Sequence, residues 1–208
     1  MFYGPPGSYA HTGKVTADLI LKAGAGMTPR SWLDYGCGYG RVLRWITRSV
    51  SASSVGCYDV NHEGAAFCAR EFGVTSLRSS APMSDITLGR WDIVYAISVV
   101  THLPGSDFFE LLPRLLNPGG MVVFSTHGAW SVDHIGSYGP EYARQHAKVR
   151  AELSRDGISY IPYAYGDGSL GMTWHSHEHV LDKMRALSLQ SYHESAIPGN
   201  HDVYVYRA

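Results

Sequence analysis

The chain has 208 residues, a formal charge of −1 and 45% apolar residues, enough for one domain with a full-sized core and no broad basic surface. A nucleic-acid binder would show a basic stripe, and the longest apolar runs fall far short of a membrane span. The opening MFYGPPGSYAHTGK has neither the basic start nor the apolar stretch of a signal peptide. Three cysteines without a C-x-x-C pair point to reduced thiols in a cytoplasm.

In chain order, residues 1–13 hold three glycines, two prolines and two tyrosines, and read as a loop. A helix follows over Val15 to Ala23, with Leu19 and Ile20 inward. A first strand spans Ser31 to Tyr35. The run Leu33-Asp34-Tyr35-Gly36-Cys37-Gly38-Tyr39-Gly40-Arg41 then reads as strand, tight glycine turn and helix start, with Val42, Leu43 and Ile46 at helical spacing. A second strand ends at Asp59. The next helix covers Glu63 to Phe72 and stops at Gly73. A short strand at Val74 to Leu77 precedes an unbroken apolar run, Asp92 to Ile97, which suits a parallel strand buried on both faces. A helix at Asp107 to Leu116, a turn at Asn117 to Gly120 and a fifth strand at Met121 to Ser125 complete the alternation. Leu189 to Ala196 and His201 to Tyr206 read as a closing antiparallel pair. In the insertion between the fifth strand and the last helix, Pro140 to Arg155 reads as one helix, with Tyr142, His146, Val149 and Leu153 on one face. The stretch after it is rich in glycine and aromatics. This order implies an α/β fold with helices on both faces of the sheet.

Glycine accepts positive φ and lets bare backbone approach a ligand, and a helix start behind it offers free N–H groups. Gly36, Gly38 and Gly40 give G-x-G-x-G rather than the dinucleotide G-x-G-x-x-G, which favours a nucleoside ligand without a pyrophosphate. Asp59 ends the second strand about 20 residues later, where such folds place a ribose-binding carboxylate.

At these residues the chain resembles the class I S-adenosylmethionine (SAM)-dependent methyltransferases. LDYGCGYGR resembles the family's first motif and YDVN its second. WDIVYAISVVTHL is similar to the fourth-strand segment, LLNPGGMVVFSTHG to the entry of the fifth strand, and GNHDVYVYR to the end of the reversed hairpin. The resemblance implies a doubly wound, Rossmann-like, seven-stranded, mostly parallel sheet with an antiparallel last strand and a helical and loop insertion after strand five. It implies one domain over 1–208, with SAM as cofactor. Residues 1–13 would then form a loop covering the cofactor, and 128–176 an insertion covering the substrate.

The same resemblance assigns roles. Asp34, Gly36, Gly38 and Gly40 would frame the methionine portion of SAM, and Asp59 its ribose, with a helix N-cap as the plainer reading of Asp59. Ser80-Ala81 stands where the family has an acid and a small residue against adenine. Ser98 would face the cofactor or cap its strand. Tyr9, with Tyr3 and His11 beside it, would fold over SAM and bind its carboxylate. Histidine suits a general base at neutral pH; His127 is the first choice and His102 the second. Trp174, His175 and Tyr163 are candidates for the acceptor wall. His175, His177 and His179 form H-S-H-E-H, but the spacing is not H-E-x-x-H and the segment reads as a helix start with Ser176 as N-cap, so no metal is expected.

The expected activity is methyl transfer to a small-molecule acceptor, oxygen first. No nucleic acid or membrane partner is expected, and the oligomeric state is not readable. A SAM-binding regulator without catalysis fits the same motifs; an NAD(P) oxidoreductase is opposed by the G-x-G-x-G spacing and the terminal hairpin. The place after strand four holds Ser98-Val99-Val100-Thr101 rather than an N-P-P-Y type motif, which disfavours methylation of a base amine.

Overall fold

The computed structural model describes residues 7–78, 88–165, 167–198 and 200–208. Strands β1 (Trp32–Tyr35), β2 (Val55–Tyr58), β3 (Thr75–Ser76), β4 (Trp91–Ala96), β5 (Leu116–Thr126), β8 (Ser188–Ile197) and β9 (His201–Arg207) form one sheet. Its spatial order is β3-β2-β1-β4-β5-β9-β8. The β1–β5 pairings are parallel, and β9 runs antiparallel to both β5 and β8. All four residues of β1 and of β2 are buried, as central parallel strands require.

Two apolar layers sandwich the sheet. On one face, helices α1 (Ser8–Ala23), α2 (Leu43–Ile46) and α3 (His62–Phe72) bury Ile20, Leu43 and Cys68 against Tyr95, Met121 and Val123. On the other, α4 (Asp107–Arg114) and α8 (His177–Lys183) bury Phe108, Phe109, Leu112 and Val180 against Val94, Val122 and Phe124. The side chains of β4 and β5 therefore alternate between two cores, as the period of a strand dictates.

Several boundaries differ from the sequence reading. Residues 8–13 are not a loop: α1 begins at Ser8, and Thr12 and Gly13 are buried. A Cβ at Gly13 would come within 2.0 Å of the Arg41 carbonyl, so the glycine is a close-packing contact between α1 and the glycine turn. The helix after that turn is a single turn, Leu43–Ile46. Asn117 to Gly120 form an irregularity inside β5, because the register jumps from Trp91↔Leu116 to Ile93↔Met121. Asn117 Nδ2 ties it to Asp92 Oδ1 at 2.7 Å.

The insertion has its own architecture. Helix α5 (Ala129–Asp133) and a 3-10 turn at Ile135–Tyr138 lead to two helices, α6 (Pro140–Ala143) and α7 (His146–Asp156), where one was expected. Gly157 ends α7 in the left-handed conformation. The glycine- and aromatic-rich stretch holds a β-hairpin, β6 (Ile158–Pro162) and β7 (Gly171–His175). Val132, Ile135, Val149, Met172 and Trp174 form a third small core beneath it.

Candidate functional site

The C-terminal ends of β1, β2, β4 and β5 carry the candidate residues, where open α/β sheets bind ligands. Gly36, Gly38 and Gly40 all have positive φ, at 82°, 50° and 74°. Two of them also answer to packing: a Cβ at Gly36 would meet Val99 Cγ2 at 2.3 Å, and one at Gly40 would meet Phe72 Cε2 at 2.5 Å. Over Gly38 nothing lies within 4 Å, so the turn faces open space there.

Asp59 accepts from the Gly38 amide at 2.7 Å and from the Asn61 amide at 2.8 Å. It is not the helix N-cap; that is Asn61, whose side chain accepts from the Glu63 and Gly64 amides. Asp59 thus spans the glycine turn and the entry to α3. Asp34 is buried at the end of β1. Burial pushes its carboxyl well above the ordinary carboxylate range, and Cys57 and Asp59 add to the effect. A cation beside it would relieve that cost. The open space above Gly38 and the buried Asp34, which burial disfavours as a carboxylate, fit a ligand carrying an ammonium group, as the methionine end of SAM does.

Tyr9 lies on α1, not on a loop. Its hydroxyl donates a long 3.5 Å bond to the Tyr39 carbonyl, and the Arg44 guanidinium sits 5.2 Å from its ring centre. Ser80, Ala81 and Tyr3 lie outside the described residues.

Ser98, just past β4, has φ 60°, a conformation rare outside glycine. Neighbours hold it on both sides: its amide donates to Ser125 Oγ at 2.9 Å, and its Oγ accepts from Arg41 Nη2 at 2.9 Å. Strain fixed by surrounding bonds is common at functional sites. Ser125 Oγ continues to His201 Nδ1 at 3.1 Å. Arg41, Ser125 and His201 were not among the expected site residues. Arg41 stood in the quoted motif, and His201 opens the strand that pairs beside β5.

Three imidazoles gather beyond this network. His127 is the middle one, its ring centre 4.7 Å from His201 and 6.4 Å from His102. It is fully buried, its Nδ1 stands 3.1 Å from the Thr173 carbonyl, and burial with the nearby His102 pushes its imidazole down to about 3. A ring so enclosed is a poor proton shuttle. His102 is half-buried as a residue, and burial lowers its imidazole from the ordinary range. Its Nδ1 lies 3.1 Å from the Gly171 carbonyl and 2.7 Å from the Tyr163 hydroxyl. A carbonyl can only accept, so Nδ1 carries the proton and Nε2 holds the lone pair.

Strand β7 separates the acceptor-wall candidates. Met172 and Trp174 point into the third core, where Trp174 Nε1 donates to Ser131 Oγ at 3.0 Å. Thr173 and His175 point the other way: Thr173 Oγ1 donates to the Leu103 carbonyl, and the His175 ring packs edge-on to Phe109 at 5.3 Å. Trp174 and His175 therefore do not line one wall together. Tyr163 does stand at the site, through His102. His175 Nδ1 and Nε2 are both buried without a partner among the described residues. His177 bonds Tyr204 and His179 bonds Ser106, so His177 points away from the neighbouring His175 and His179 rings, whose centres lie 5.7 Å apart. Among the described residues no group of three or more His, Cys, Asp or Glu is arranged to hold a metal ion. No described helix is long and apolar enough to cross a membrane.

Comparisons with known proteins agree with this arrangement. A family model described as a methyltransferase domain matches residues 9–192. Among solved structures, a SAM-dependent methyltransferase from Mesorhizobium loti superposes with a TM-score of 0.63 at 14% identity, covering 93% of this chain and 98% of that one. DesVI from Streptomyces venezuelae gives 0.61 at 18% identity, covering 97% and 92%. The N-methyltransferase NodS from Bradyrhizobium japonicum, in complex with S-adenosylhomocysteine (SAH), gives 0.59 at 12% identity, covering 92% and 85%. At such identities these likenesses bear on the fold. No curated protein matches the sequence. With nine-tenths of its length inside the family model, and the glycine turn and strand order in place, the chain belongs to the methyltransferase-domain family and is a class I SAM-dependent methyltransferase.

Proposed function

We propose that this enzyme methylates an oxygen of a small-molecule acceptor, with His102 as general base. The observation that carries the reading is the charge around the site. Among the described residues, the groups that shift His102, His127 and His201 electrostatically are Arg41 and the other imidazoles, with no carboxylate. A protonated amine would meet the Arg41 cation and neutral imidazoles there, with no carboxylate to receive it, whereas an oxygen losing its proton gains from Arg41.

SAM, when bound, supplies an activated methyl on a sulfonium. The chain's residues supply position and a proton acceptor. Asp34 compensates the ammonium, the turn at Gly36, Gly38 and Gly40 admits the methionine portion, and Asp59 serves the ribose. Tyr9 and Ser98 flank that site. His102 Nε2 takes the acceptor's proton as the oxygen attacks, with Gly171 and Tyr163 fixing the ring. The insertion at 128–176 covers the acceptor, Tyr163 touching it and Trp174 holding the cover together. One domain acting on a small molecule in a reducing cytoplasm accords with three buried free thiols and a formal charge of −1.

The test is calorimetry with SAH, with NAD as control, followed by an acceptor screen with methyl-labelled SAM. Micromolar SAH binding without NAD binding, and label appearing in an oxygen ether or ester, support the reading. Label on nitrogen overturns the oxygen assignment, and failure of SAH to bind the folded chain overturns the site.

A further inference from the structure

We infer that Tyr95 is a positioning residue for cofactor binding: its buried hydroxyl donates to the Asp34 carboxylate and holds it where the ammonium of SAM meets it. The inference rests on the reading of Asp34 as the partner of that ammonium.

Strand register brings the two side chains together. Asp34 on β1 stands opposite Tyr95 on β4 and opposite Cys57 on β2, so all three share one face of the sheet. All three are buried. The Cys57 thiol is engaged, donating to the Ala65 carbonyl at 3.7 Å. The Tyr95 hydroxyl is not: it lies buried and completes no hydrogen bond among the described residues. It is nevertheless near enough to act on Asp34. Burial, with Cys57 and Asp59, drives the Asp34 carboxyl up, and the Tyr95 hydroxyl is the first group to pull it down, ahead of Arg41. Arg41 also serves Ser98, donating from Nη2 to its Oγ at 2.9 Å.

A buried hydroxyl without a partner carries a cost that phenylalanine would avoid at the same volume. Its neighbours on β4, Ile93, Val94 and Ala96, are buried and apolar. The hydroxyl therefore stands out in a strand that packing alone would fill with hydrocarbon. A charged Asp34 offsets that cost. A carboxylate has two oxygens and acceptor positions on both. An ammonium docked on one oxygen leaves the other in need of a donor, and Tyr95 offers its hydroxyl from the adjacent strand. Hydrogen bonds to an ionised group are stronger than neutral ones, the more so in a buried site. The Tyr95 bond is thus strongest when the cofactor's cation holds Asp34 in its charged form, and it fixes the carboxylate for that contact.

Calorimetry with two nucleosides separates positioning from packing. SAH carries the ammonium, whereas 5′-methylthioadenosine keeps the adenosine and the sulfur but lacks the amino-acid end. Tyr95→Phe should weaken SAH binding about tenfold or more and leave methylthioadenosine within about twofold. Unchanged SAH affinity overturns the inference, as does an equal loss for both nucleosides, which would show a packing role alone. Asp34→Asn measured beside it separates the two readings. A selective loss of SAH in Asp34→Asn with none in Tyr95→Phe removes the role of Tyr95 and leaves that of Asp34 standing; no loss in either removes both. A crystal structure of the unmodified chain with SAH decides the matter even where Tyr95→Phe fails to fold. Tyr95 Oη within about 3.0 Å of an Asp34 oxygen is expected, and a separation beyond about 3.5 Å overturns the inference.

Discussion

Asp59 accepts a hydrogen bond from the Gly38 amide at 2.7 Å, linking the end of β2 to the middle of the glycine turn after β1. One carboxylate oxygen is thereby used to shape the turn, and the other accepts from the Asn61 amide. Asp59→Ala removes the acceptor of two amides as well as the proposed ribose ligand. SAH affinity should fall more than tenfold by calorimetry, with stability lower by about 1–3 kcal/mol in a denaturant titration. Unchanged SAH affinity would remove the ribose role.

The three glycines of the turn should respond differently to alanine. Gly36→Ala drives a Cβ to within 2.3 Å of Val99, and the expected outcome is loss of the folded chain. Gly38→Ala meets open space and costs only its left-handed backbone, about 1–2 kcal/mol. It should fold, as circular dichroism can check, yet lose SAH binding. A Gly38→Ala variant that binds SAH normally would show that the open space is not the cofactor's.

His102→Gln should lower kcat by about 10²–10⁴ while SAH affinity stays within twofold. Burial lowers the imidazole below its ordinary 6.5, so the base is already deprotonated at neutral pH. The rate should be flat from pH 7 to 8 and decline only below 6.5. A rate that climbs through pH 7 to 8 would point to a different base.

Acid should destabilise the fold through its buried imidazoles. His127 and His175 are held at about 3 against an ordinary 6.5. Between those values the unfolded chain binds protons that the folded chain refuses, so stability falls as pH drops from 6.5 towards 3. Each such histidine contributes up to about 1.4 kcal/mol per pH unit. His175→Phe removes two unpartnered buried nitrogens beside Phe109. It should raise stability at pH 7 and flatten the acid slope in thermal melts; a steeper slope would contradict the assignment.

The parts legible in the sequence were those with short-range signals. Continuous apolar runs revealed the central strands, and the alternating glycines with Asp59 marked a tight turn at the C-terminal edge of the sheet. Ser176 as N-cap and Gly157 as helix stop were also readable, because a cap is a local bond. The first turns of the N-terminal helix, ahead of the expected start at Val15, were hidden by Gly13, whose helix penalty is overridden by close contact with the Arg41 carbonyl. The β6–β7 hairpin was hidden because its strands flank a glycine-rich stretch, and its stability comes from Trp174 and Val149, brought together only by folding. His201 was missed for a similar reason: its partner Ser125 lies 76 residues away.

Strand β7 acts as a common rail for His102 and His127. The Gly171 carbonyl engages His102, the Thr173 carbonyl engages His127, and the His175 amide bonds the His127 carbonyl. The same rail belongs to the insertion that distinguishes this chain from a bare methyltransferase sheet. A lineage that reshapes the hairpin also re-aims both imidazoles, so on the function proposed above substrate range and proton handling would be inherited as one trait rather than two.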